Sequence, residues 1–190
     1  MVSLTTPAGE RRFRAAPFDL LGIDGKRHTL DSVRGANGTV VMFICNHCPY
    51  VKAVVTKIVR DMNELRRLGV GSIAIMSNDV AAYPEDSFDN MKVFAAQNQF
   101  TFPYVIDDTQ EVARAYDAVC TPDFFGFDRD LMLAYRGRLD ASGRSSDPHA
   151  ARELFDAMSG IASAGKAPAV QHPAVGCSIK WKASERGGRA

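Results

Sequence analysis

Apolar residues along this chain fall into short runs with two distinct periods. Residues 39–44, Thr-Val-Val-Met-Phe-Ile, are apolar on both parities, the pattern of a strand covered on both faces. From residue 49 to 68 the period changes. Val51, Val54, Val55, Ile58, Met62 and Leu65 share one helical face, while Lys52, Lys57, Arg60, Asp61, Glu64 and Arg67 take the other positions. Pro49 suits the first turn of that helix and Gly69 its C-terminal end. Residues 72–76 form a second apolar strand. Residues 39–76 therefore predict a strand–helix–strand unit with parallel strands.

Weaker patterns flank this unit. Residues 16–30 predict a hairpin turning at Asp24-Gly25. Beyond it come a polar loop over 77–85, a helix over 88–97 with Met91, Phe94 and Ala95 inward, and a strand at 104–106. Asp108-x-x-Glu111 has the form of a capping box opening a helix through Tyr116. Residues 124–127 and 131–135 predict an antiparallel hairpin, and Asp147-Pro148 the start of a last helix carrying Leu154, Phe155, Met158 and Ile161. The whole is α/β with a mixed sheet: one domain over 1–165 and a C-terminal tail over 166–190, ordered around 175–181.

Composition adds exclusions. The chain has 190 residues, 46% hydrophobic and 24% charged, with 23 basic against 22 acidic side chains. That near-balance argues against nucleic acid or an anionic membrane as partner. The longest apolar run is far short of the roughly 20 residues that span a bilayer. Met1–Arg14 lacks the apolar core of a secretory signal, so the expected compartment is the cytosol, where thiols stay reduced.

In that setting the four cysteines, Cys45, Cys48, Cys120 and Cys177, suggest redox or metal chemistry before structural disulfides. Cys45-Asn46-His47-Cys48 falls where the first strand ends and the helix begins. A helix N-terminus offers unpaired N–H groups and the positive end of its dipole, and both stabilise a thiolate. His47 adds positive charge or a hydrogen bond. The expectation is a nucleophilic thiolate, a second thiol to resolve the mixed disulfide, and no cofactor or metal. A zinc shell of all four cysteines is the rival, but Cys120 and Cys177 lack close-spaced partners. Two inert buried cysteines are the bland alternative. Cys120 reads as either a small buried hydrophobe or a third redox thiol, and Cys177 as either an incidental thiol or a resolving one. His28, His149 and His172 read as surface residues, Tyr50 as a helix-face aromatic near the site, and Asn78-Asp79 as an ordinary loop.

The element order and the run Phe43-Ile44-Cys45-Asn46-His47-Cys48-Pro49-Tyr50 resemble the thioredoxin-fold superfamily. Ala16-Pro17-Phe18-Asp19-Leu20, Asp24-Gly25-Lys26 and Cys120-Thr121-Pro122-Asp123 are similar to its redoxin branch of alkyl hydroperoxide reductase and thiol-specific antioxidant proteins. The resemblance covers about residues 16–161. It implies a thioredoxin-like layered fold and a cis peptide before Pro122, with Thr121 and Pro122 beside the dithiol. It also implies Cys45 as nucleophile and Cys48 as resolver, acting on a protein or small-molecule disulfide with a separate reducing partner. Histidine in the motif's second middle position resembles oxidising members of the fold. No tryptophan precedes the motif. Aligned on Cys48, the peroxiredoxin pattern Pro-x-x-x-Thr-x-x-Cys meets Val41 and Cys45 instead. The alternatives are a hydroperoxide-reducing thiol peroxidase, with Cys48 attacking, and a metal-binding module of the same fold. The oligomeric state is left open.

Overall fold

The computed structural model describes residues 3–6, 13–145 and 147–183. At its centre lie two parallel strands, β4 (Gly38–Phe43) and β5 (Val70–Met76), joined by helix α2 (Pro49–Arg67), as the two-period pattern requires. Every residue of β4 is buried, and its side chains alternate between two cores. Val40 and Met42 point to α2 and to α5 (Glu153–Ala164). Val41 and Phe43 point to the opposite layer, where Phe43, Tyr116 and Phe125 meet edge to face at ring separations of 5.7 Å.

Among the described residues, the main sheet is completed by β2 (Asp19–Gly22), β3 (Arg27–Thr29), β6 (Tyr104–Ile106), β8 (Asp123–Phe127) and β9 (Leu133–Gly137). The order is β3-β2-β6-β5-β4-β8-β9, with β4, β5 and β6 parallel and the other pairings antiparallel. Both expected hairpins are present. Helix α1 (Leu30–Val33) follows β3, α3 (Phe88–Gln97) precedes β6 and α4 (Glu111–Ala115) follows it. No helix among the described residues is long and apolar enough to cross a membrane.

Helix α2 buries all six of the apolar positions its period marks. Each is worth about 1.5–3 kcal/mol against exposure. Leu68 ends the helix, and Gly69 follows at φ +76°, a left-handed turn that glycine adopts without strain. Two polar positions on α2 depart from the solvent-facing expectation. Lys57 and Asp61 are buried because the loop after β9 and the start of α5 fold over them. Lys57 Nζ donates to Asp140 (2.7 Å), Ser142 (2.6 Å) and the Asp147 carbonyl. Arg152 donates to Asp61 and Glu64.

Two expected helix starts are corrected. The Asp108–Glu111 capping box does not form. Gln110, in the left-handed region, is the N-cap, and buried Asp107 accepts the N–H groups of Val112 (3.3 Å) and Ala113 (2.9 Å). The last helix begins at Glu153, not at Asp147-Pro148, because the Asp147 carbonyl is committed to Lys57.

A second, smaller sheet was not foreseen. It places β10 (Val175–Ser178) between β1 (Ser3–Thr5) and β7 (Cys120–Thr121), antiparallel to both. Residues 166–183 thus include a strand paired with β7, just ahead of β8. The expected tail residues 184–190 lie outside the described residues.

Candidate active site

Cys45 lies just beyond β4, and Cys48 is the residue that caps α2, with Pro49 in the first turn. Their placement follows from the sequence: the apolar run ends at Ile44, and Pro49 starts the helix. Facing them across the site is the Thr121–Pro122 peptide, which is cis as expected. Cys45 Sγ is 3.3 Å from Thr121 Oγ1, and Cys48 Sγ is 3.0 Å from the Thr121 carbonyl oxygen. All four cysteines are reduced and buried, Cys45 at 1% exposure and Cys48 at 0%. Cys45, the expected nucleophile, is thus no more open to solvent than Cys48 in any useful degree.

The two thiols differ in acidity. The neighbouring Cys45 thiol is the main influence that brings Cys48 down to about 5 despite burial; the Val51 N–H, Thr121 and Cys177 add to the stabilisation. The contact with the Thr121 carbonyl favours a thiol and opposes this, but a single acceptor faces several donors. Cys45 moves the opposite way. The neighbouring Cys48, its own burial and the nearby Asp86 carboxylate all hold it well above the usual thiol range. Cys48, at the N-terminus of α2, is thus the more acidic of the two thiols.

Asn46 and His47 are fixed by a residue that sequence reading missed. Asp86 lies in a 3₁₀ turn, Pro84–Asp86, and is wholly buried. Its Oδ1 accepts the N–H groups of Asn46 (2.8 Å) and His47 (3.3 Å). Its Oδ2 lies 2.7 Å from His47 Nδ1 and accepts the Asn78 amide at 2.7 Å. Burial would raise the Asp86 carboxyl, but these partners outweigh it and hold it below the ordinary value. The same bond raises His47, whose ring also stacks on Tyr83 at 5.8 Å. Asn46 donates to the Glu85 carbonyl and accepts from Tyr104 Oη at 3.0 Å.

Asn78, read from sequence as ordinary loop, belongs to this network; its carbonyl also accepts the Lys180 N–H at 2.8 Å. Asp86 had no spacing signal, since one carboxylate in a polar loop resembles its neighbours. Of the other expected residues, Tyr50 meets Ser3 Oγ at 3.1 Å beside the site. Cys120 is buried with its thiol toward the Pro122 carbonyl, 3.6 Å away, and burial pushes that thiol upward. Cys177 is brought in: it pairs with Thr121 across the strands and packs in the same core as Cys45 and Cys48.

Cys45, His47 and Asp86 place donor atoms within 4.8 Å of one another, the grouping among the described residues that could hold a metal ion. Both Asp86 oxygens are already engaged by N–H groups, so that carboxylate is built to orient the motif loop. Cys120, which a four-thiolate shell would need, lies outside the group.

The sequence pattern of the AhpC/TSA family matches residues 13–136. No curated protein matches the chain significantly. An uncharacterized conserved protein from Geobacillus kaustophilus is 45% identical, with a TM-score of 0.90 over 97% of this chain and 98% of that one. A hypothetical protein from Sinorhizobium meliloti 1021 is 32% identical, with a TM-score of 0.87 over 95% of this chain and 98% of that one. The thioredoxin domain of a thiol-disulfide oxidoreductase from Bacteroides vulgatus is 14% identical, with a TM-score of 0.56 over 65% of this chain and 85% of that one. The last likeness speaks to fold, and the fold is thioredoxin-like.

Proposed function

This chain belongs to the AhpC/TSA family of thioredoxin-fold redoxins, and from that premise we propose that it is a thiol–disulfide oxidoreductase working through a Cys45–Cys48 couple. The observation that supports it most is the placement of both sulfurs at the N-terminus of α2, each within 3.3 Å of Thr121, the residue before the cis proline.

In the proposed cycle Cys45 passes its proton to Cys48 and attacks one sulfur of a substrate disulfide. A Cys45–substrate bond forms and the other half of the substrate leaves as a thiolate. Cys48 then attacks Cys45 Sγ, gives up its proton to the second departing sulfur, and closes the Cys45–Cys48 disulfide. Two electrons have passed to the substrate, and a separate reductant restores the dithiol. Thr121 Oγ1, 3.3 Å from Cys45, is placed to steady that sulfur.

Insulin-disulfide turnover with a reductant tests this reading. Cys45→Ser is expected to abolish turnover and Cys48→Ser to accumulate mixed disulfides. Full activity in Cys45→Ser removes the proposal.

The greater acidity of Cys48 favours a second reading, hydroperoxide reduction. There Cys48 attacks the peroxide, becomes a sulfenic acid as an alcohol or water departs, and condenses with Cys45 to release water. Rapid mixing with hydrogen peroxide separates the two: fast sulfenate formation at Cys48, without insulin turnover, selects the peroxidase.

A further inference from the structure

A third sulfur stands against the dithiol. Strand β10 runs antiparallel to β7 with Cys177 opposite Thr121, and β1 pairs with its other edge. Cys177 is 2% exposed and packs in the same core as Cys45 and Cys48. Its sulfur is a near neighbour of Cys48, close enough for each to shift the other's acidity. The approach is close: a Cβ on Gly176 would lie 2.2 Å from the Thr121 carbonyl oxygen and 2.6 Å from its carbon. Only glycine lets the strand lie this deep. Thr121 is therefore shared. It touches Cys45 and Cys48 on one side and pairs with Cys177 on the other.

We propose that Cys177 is a third redox thiol, which exchanges with the Cys45–Cys48 disulfide to give a Cys48–Cys177 disulfide and a released Cys45 thiol. The inference rests on the dithiol reading above. In the step, Cys177 loses its proton and attacks Cys48 Sγ. The Cys48–Cys177 bond forms as the Cys45–Cys48 bond breaks, and Cys45 leaves as a thiolate that takes up one proton. One disulfide replaces another, so no electrons leave the protein and no outside reagent is consumed. The reduced state restrains this thiol: burial, and an anion on the neighbouring Cys48, push it up to about 12. Oxidation of Cys48 removes that anion, and with it part of the restraint. The exchange fastens β10 covalently to the start of α2 while Cys45 regains its thiol.

The test is a disulfide linkage map of the full chain after one equivalent of diamide. Wild type is expected to give both Cys45–Cys48 and Cys48–Cys177 peptides, and Cys45→Ser to give Cys48–Cys177 alone. Gly176→Ala, which forces the strand outward, is expected to lower the Cys48–Cys177 share at least about threefold while Cys45–Cys48 still forms. Cys45–Cys48 as the sole linkage in wild type overturns this inference and leaves the dithiol reading standing. Neither linkage in wild type overturns both. Because the wild-type map alone decides, failure of a variant to fold leaves the test intact.

Discussion

Asp86 is a single enclosed carboxylate that sets the geometry of the whole motif loop. It satisfies two backbone N–H groups and two side chains that would otherwise be buried without partners. Asp86→Asn keeps the shape and removes the charge. The expected cost is about 1–3 kcal/mol in urea unfolding at pH 6, the range for a hydrogen bond to a charged group. The pH dependence carries a sign. Asp86 is depressed below 3.8 in the fold, so its contribution is present above that value and is lost as pH falls through the folded one. His47 is raised above 6.5, so its contribution is full below 6.5 and is lost as pH rises through the folded value. The pair therefore stabilises most between about pH 4 and 6.5. Stability curves of wild type and Asp86→Asn are expected to differ most in that window and to draw closer above it, by the His47 share only, since Asn46, His47 N–H and Asn78 still donate to the carboxylate. Parallel curves at every pH would remove the ion pair from the account.

At the scale of elements, α2 carries both the site and a buried ion pair. Its first turn holds Cys48, and two turns later Lys57 reaches Asp140, Ser142 and the Asp147 carbonyl. Lys57→Ala leaves the Asp140 carboxylate enclosed without its cation, and about 3–5 kcal/mol of stability is expected to go. Pairing it with Asp140→Ala should recover part of the loss in a urea double-mutant cycle; a single-variant loss below about 1 kcal/mol would show the pair to be solvated. Lys57 also marks where sequence reading stops. The positions of β4, α2 and β5 were legible because hydrophobic period alone dictates them. The cysteine motif was legible because its spacing coincides with the strand end and Pro49. The burial of Lys57 and Asp61 was not, because it depends on a loop more than eighty residues away along the chain. Asp108 looked like a cap by spacing, but Asp107 is the carboxylate the fold buries beneath α4. Strands as short as β1, β7 and β10 carry too few residues for alternation to declare itself.

Taken whole, the molecule closes over its own chemistry. Cys45 and Cys48 are almost fully covered, with β10, the Tyr83–His47 stack and the Thr121 backbone around them. A reagent or substrate then reaches sulfur only through local opening, and β10, short and held by two other short strands, is the element suited to open. Iodoacetamide is expected to modify the native thiols at least about 100-fold more slowly than those of the urea-unfolded chain, with subdenaturing urea accelerating both alkylation and exchange of the Cys177 amide. Immediate labelling of one native cysteine would contradict this. The pairing of Ser3 with Cys177 has one more consequence, in the order of synthesis. A ribosome delivers Cys45 and Cys48 long before it delivers the strand that seals them. The nascent protein therefore passes through a period with its dithiol uncovered, and residues 3–5 must wait for residues 175–177 before they find their place in a sheet.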